Sequence, residues 1–163
     1  MLGTIDEALA TLFCLFPKNT RLDQVILKAA ALNQLYSTNI YAVAEMARHI
    51  VGRGVDPLLE IGSPGAVDVI AKVTFGGKPW RFYSFATKYC SFHNPERYPI
   101  YDRFIDQALR HYRKVDHFAV FSNADLREYE RLINIIASFR RFYGLEGFTL
   151  KAIDKFLWLE GGA

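Results

Sequence analysis

Residues Arg81–Asp102 read RFYSFATKYCSFHNPERYPIYD, and the way this stretch is parsed decides the fold. Trp80, Tyr83, Ala86, Thr87 and Cys90 recur at helical spacing, and Asn94-Pro95 ends the run because a proline restricts the residue before it. Pro99 constrains the next few residues. Directly after Asp102, Phe104, Ile105, Ala108, Leu109 and Tyr112 begin a second three-and-four pattern. The stretch is therefore a helix, a proline-bounded loop and the start of another helix, with a carboxylate at the position where unsatisfied backbone N–H groups favour one.

Upstream, Thr4 and Glu7 make a capping-box pair, and Ile5, Leu9, Leu12, Phe13 and Phe16 form a helix that Pro17 closes. Leu22, Val25, Ile26, Ala29, Leu32, Asn33 and Tyr36 mark a second amphipathic helix, expected to be central. After Ser37-Thr38-Asn39, a third helix carries Ile40, Val43, Met46, Ala47 and Ile50 and stops at Gly52 and Gly54. Pro57 and Ser63-Pro64 open two brief helices, and Gly76-Gly77 gives a sharp turn into the 81–102 stretch.

Downstream, His111–His117 reads as a basic connection. Ser122-Asn123 caps a long helix with Leu126, Tyr129, Leu132, Ile133, Ile136 and Phe139, closed by Gly144; Thr149 caps a last one. No alternation suggests a sheet, apart from Phe118–Phe121. The expected fold is all-α, a compact multi-helix array of about eight helices in one domain over residues 1–163.

Composition agrees with that size. The chain has 163 residues, 51% of them hydrophobic, enough for one core. Lys and Arg number 20 against 17 Asp and Glu, a net +3 that permits an anionic partner without requiring one. Cys14 and Cys90 stand far apart with no metal-ligand spacing, so no disulfide, metal or other cofactor is expected. Apolar runs are too short to span a membrane, and the chain reads as cytoplasmic.

Five groups in the 81–102 stretch can do chemistry: Ser84, Lys88, Cys90, His93 and Asp102. Asp102 leads, because a helix N-terminus favours an ionised carboxylate that acts on a developing cation or on water; its plainer role is an N-cap. Lys88 is an alternative nucleophile or a snorkelling surface lysine. His93 is a base, a phosphate contact or a helix-end residue, and Cys90 a small core residue. Tyr98 and Tyr101 lie close by in the chain and can wall a site for a flat ligand. Arg110, His111, Arg113 and Lys114, with Arg140 and Arg141, offer phosphate contacts or solvated charge.

The order of these features resembles the helix-hairpin-helix DNA glycosylase superfamily. The string ALNQLYSTNIYAVAEMARHI looks like its early helix-turn-helix, whose tip residue inserts into DNA, a role that falls on Asn39. PIYDRFIDQAL looks like the segment holding its catalytic aspartate, which falls on Asp102. Strand-cutting members carry a lysine where this chain has Ser84, so the resemblance implies a monofunctional enzyme. The superfamily's Gly-x-Gly turn is replaced here by KPWRFYS. The strings LYSTNI, SFATKYCSFHNPERYPIYD and LKAIDKFLW also resemble a group of bacterial proteins without assigned function.

The resulting expectation is a DNA-binding, base-excision glycosylase-like protein that takes a damaged or mismatched base into a pocket. Asp102 would be the acid, and Asn39, Trp80, Tyr83, Ser84, Lys88, His93 and Tyr101 the substrate contacts. Arg110, Arg113 and Lys114 would hold the DNA backbone. The competing reading is a non-enzymatic helical protein-interaction module, of the kind a mobile element or defence locus carries.

Overall fold

The computed structural model describes residues 2–163 and divides the chain into two compact units, residues 1–94 and 95–163. The first contains α1 (Leu2–Leu15), α2 (Leu22–Tyr36), α3 (Val43–Arg53), α4 (Asp56–Ile61), α5 (Gly65–Ala71), strands β1 (Lys72–Phe75) and β2 (Lys78–Arg81), and α6 (Tyr83–His93). The second contains α7 (Arg103–Asp116), a 3-10 turn (Ala124–Arg127), α8 (Tyr129–Phe142) and α9 (Leu150–Gly161). The described chain is thus mostly helical, with one small sheet.

In the first unit the centre belongs to α6, not to α2. Phe85 through Ser91 are all buried, and α6 packs against α1, α2 and α5. A helix enclosed on every side needs no polar face. By contrast α2 leaves Leu22, Leu27 and Leu35 exposed and buries only its Val25, Lys28, Ala29 and Leu32 stripe.

The sheet is the main departure from an all-helical expectation. Val73 and Phe75 point inward while Lys72 and Thr74 face solvent, a period of two over only four residues. Gly76 and Gly77 lie at φ 56° and 77°, the left-handed pair that a two-residue hairpin requires. Trp80 therefore sits on β2, paired with Val73, and not on the helix with Tyr83. Pro79 is tolerated because both strands are edges.

Three boundaries also move. Thr4 lies inside α1 and caps nothing, since that helix is already under way at Leu2. The basic segment after Leu109 continues α7 as far as Asp116, with His117 in the left-handed region. Nothing in it breaks a helix, and Arg113 and Lys114 complement the C-terminal dipole. The helix expected from Ser122 divides at Glu128, which is extended; Ser122 and Asp125 bond reciprocally around one 3-10 turn. Phe118–Phe121 is irregular, and Phe118 packs on Phe139 at 5.4 Å.

In the second unit α7 and α9 make the most extensive helix pair. The approach is closest at Gly161, where a Cβ would fall 1.7 Å from the Phe104 carbonyl oxygen. Thr149 caps α9 as expected, its Oγ1 accepting from Ala152 N–H at 3.1 Å. No helix among the described residues is long and apolar enough to cross a membrane.

Candidate functional site

Asp102 is the N-cap of α7. Its Oδ1 accepts from the N–H groups of Phe104 and Ile105 at 2.9 and 3.0 Å, and the residue is 8% exposed. Such a cap contributes about 1 kcal/mol.

The residues before it are fixed one by one. The Pro99 carbonyl accepts from Tyr129 Oη at 2.8 Å, Ile100 N–H donates to Asp154 Oδ2 at 3.1 Å, and Tyr101 Oη donates to Asp106 Oδ2 at 2.7 Å. Helices α7, α8 and α9 each supply one of those partners, so the segment leading into Asp102 is held at three successive residues. Burial and the Asp106 carboxylate push the Tyr101 phenol up to about 12, and the ring is only 8% exposed.

Asp154 was not legible as a site residue. It is 2% exposed, its Oδ1 has no hydrogen-bond partner, and burial raises its carboxyl well above the usual range, with Asp102 adding a smaller push in the same direction. At neutral pH its carboxyl is thus held towards the protonated form. The sequence signal was its place on the buried side of α9, next to Ile153 and three residues before Leu157.

The cations of α7 are divided between internal and external duty. Arg110 Nε lies 2.5 Å from Asp106 Oδ1. Arg113 donates to the Phe121 carbonyl at 2.9 Å and to Asn123 Oδ1 at 2.8 Å. Lys114 is exposed and has no such partner among the described residues. Together with Gln107, His111 and His117 they line an open cleft of about 610 Å³.

The remaining candidates belong to the first unit. Asn39 is exposed, with φ 62°, at the corner between α2 and α3. Asn33 pins that corner: its Oδ1 accepts from Thr38 Oγ1 at 2.7 Å and Ile40 N–H at 2.9 Å, while its Nδ2 donates to the Ile40 carbonyl at 2.8 Å. Trp80 stacks on Phe82 at 5.7 Å, and Tyr83 is buried under the Arg81 guanidinium, 4.3 Å from the ring centre. Ser84 stands in the first turn of α6. Lys88 is buried, its ammonium 4.8 Å above the Tyr36 ring.

Trp80, Tyr83 and His93 do not converge on one pocket. Tyr83 and His93 are the two ends of α6, about 15 Å apart along its axis at 1.5 Å per residue. His93 instead joins a buried polar cluster that the sequence did not reveal. Lys28 Nζ donates to the Phe16 and Lys18 carbonyls at 2.8 and 3.0 Å and to Asn19 Oδ1 at 2.8 Å, and lies 3.0 Å from His93 Nε2. Tyr89 Oη donates to the same Asn19 oxygen, and Asn19 passes the connection to Asp56 through its N–H and Nδ2.

The three N–H groups of the ammonium are matched by the Phe16, Lys18 and Asn19 oxygens, and the His93 ring nitrogen is a fourth close neighbour. Burial, followed by the Lys28 charge, lowers His93 to about 3; burial lowers Lys28 to about 8. Lys28 has a readable signature, since it falls on the Val25–Leu32 stripe where a solvated lysine has no place. Cys90 is buried and Cys14 exposed, and no three His, Cys, Asp or Glu among the described residues are placed to hold a metal.

Residues 1–97 match the family model HI_0787_N, described as an N-terminal domain, and the chain belongs to that family. Over 130 residues it is 44% identical to an uncharacterised protein of Haemophilus influenzae, a stretch covering 79% of this chain and 62% of that protein. The chain thus spans less than two thirds of this relative. The likeness to bacterial proteins without assigned function, read from three short strings, holds over this length; neither match is described as a glycosylase. No solved structure matches the chain.

Proposed function

We propose that this protein binds DNA and that Asp102 is the acid of a monofunctional, glycosylase-type base excision. The supporting observation is the immobilised loop: Pro99, Ile100 and Tyr101 are each tied to a different helix, and Asp102 is held at the start of α7. Preorganised charge is what a reaction with a cationic transition state rewards. In that step the bond from C1′ to the base breaks, the base leaves with the electron pair and takes up a proton, and water adds at C1′. The carboxylate offsets the positive charge on the sugar and orients the water. Lys114 and the less engaged edges of Arg110 and Arg113 would meet the backbone, and Asn39 would enter the duplex.

A second reading is favoured by one specific feature. Asp102 spends Oδ1 on two cap bonds and is 8% exposed, as a purely structural N-cap would be. On that reading the chain is a non-enzymatic binding module. The deciding experiment incubates the protein with oligonucleotides carrying oxidised, alkylated, deaminated and mismatched bases, beside Asp102→Asn. Asparagine preserves the cap, so base release by the parent and none by an equally folded variant establishes chemistry at Asp102. No release from any substrate removes the enzymatic reading.

A further inference from the structure

A second concave surface lies in the first unit, between α3 and β1. Glu45, Arg48, His49 and Arg53 on α3, beside its buried Met46, Ala47 and Ile50, line an open cleft of about 550 Å³. Lys72, Val73, Thr74 and Phe75 form the other wall. The cleft therefore holds three permanent cations against one carboxylate.

None of those cations is paired within the described residues, unlike many on the surface. Elsewhere Lys18 is paired with Glu60, Arg21 with Asp23, Arg110 with Asp106 and Arg131 with Glu128. Arg48, Arg53 and Lys72 make no ion pair or side-chain hydrogen bond within the described residues, and all three are exposed. His49 is committed, its Nε2–H donating to the Val69 carbonyl at 2.7 Å, which ties α3 to α5 and holds one wall in place. Unpaired like charges lining one cleft repel each other, an arrangement that an anion relieves.

An aromatic surface adjoins it. Phe75 lines the cleft, and its ring centre is 6.3 Å from that of Tyr41, which is 74% exposed. Tyr41 is supported edge-on by Trp80 at 6.0 Å, and it follows the corner that Asn33 pins. Trp80 is already engaged by Phe82 and by the Lys78 ammonium at 4.7 Å, whereas Tyr41 is the exposed ring of the group. A ring held in place beside unpaired arginines matches a polymer that alternates flat bases with phosphates. An acidic peptide would use the cations and leave the ring idle.

We propose that α3, β1 and Tyr41 form a binding surface for a single-stranded nucleic-acid segment, with phosphates against Arg48, Arg53 and Lys72 and a base on Tyr41. The surface lies inside the region that the family model covers, and it stands whether or not Asp102 performs chemistry.

Fluorescence anisotropy with a labelled thymidine oligomer, across a salt series, tests this on the full chain. Three phosphate contacts give a slope of log affinity on log salt of about −2, and Arg48→Ala with Arg53→Ala reduces its magnitude by about 1.4. Tyr41→Ala weakens binding about tenfold or more while Tyr41→Phe, which keeps the π-face, does not. Lys18→Ala, which removes a charge outside the cleft, leaves affinity unchanged. All the substituted side chains are exposed, and circular dichroism checks the fold of each variant. Absence of binding overturns the proposal. So does equal loss with Lys18→Ala, equal affinity for a duplex without Tyr41 dependence, or equal affinity for a polyglutamate peptide of matched charge. Because Asp102 takes no part in this assay, its outcome is separate from that of the base-release experiment.

Discussion

Lys28 places an ammonium in a site where it is 0% exposed and where no carboxylate touches it; Asp56 acts through Asn19. Its four neighbours are two main-chain carbonyls, an amide oxygen and an imidazole, so an apolar replacement would strand both carbonyls, while the Asn19 oxygen keeps the Tyr89 hydroxyl. Lys28→Met is expected to cost about 3 kcal/mol or more in urea unfolding. The same substitution removes the second-largest cause of the low His93 value, so the imidazole should titrate higher by NMR yet stay below 6.5, because burial remains. Asp154 behaves oppositely. Its folded-state value is raised, so the stability it adds is present below about 3.8 and is lost as pH rises. Asp154→Asn keeps an acceptor for Ile100 N–H, and should melt at or above the parent temperature at pH 7 and level with it at pH 3. A lower melt at pH 7 would mean that the ionised carboxylate is what the fold uses.

At the scale of elements, the α7–α9 pair depends on Gly161. A Cβ there meets the Phe104 carbonyl oxygen at 1.7 Å, and that atom is backbone and cannot swing away. Gly161→Ala should therefore destabilise the protein by about 2 kcal/mol. Gly162→Ala, whose nearest neighbour is at 3.4 Å, is the mild control, and denaturant midpoints compare the two. Helices α2 and α9 and the start of α7 were legible because each repeats at 3.6 residues, with Asp102 and Thr149 capping α7 and α9. The hairpin was not: four-residue strands give two inward positions each, too few to establish a period, and Gly-Gly alone does not distinguish a hairpin from a turn into a helix. The long reach of α7 was hidden by its charge, since Arg113 and Lys114 read as a solvated connection until the helix dipole and the Tyr112 contact with Phe139 at 5.4 Å are in view.

For the whole molecule, acid is the informative stress. His93 titrates near 3 when folded and near 6.5 when unfolded, so the folded state binds fewer protons in that window and stability falls as pH drops through it. The loss approaches about 1.4 kcal/mol for each pH unit crossed, and His93→Phe should flatten that slope in chemical denaturation between pH 3 and 6.5. What the sequence conveyed of the candidate sites follows the same division between near and far. Asp102 was placed correctly as a cap because its partners are two and three residues away. Lys28 and His93 are separated by 65 positions and meet only in the fold. Whether an arginine is paired is equally a matter of distant neighbours, which is why Arg110 and Arg113 looked more available than they are and Arg48 and Arg53 less. The two cysteines turn this concealment into a clock. Cys14 faces solvent, whereas Cys90 is buried in α6 with its thiol pushed far up by burial. A maleimide should add once to the native chain at Cys14, and the second addition times each opening of α6, the helix that carries Tyr89 and His93 into the Lys28 cluster.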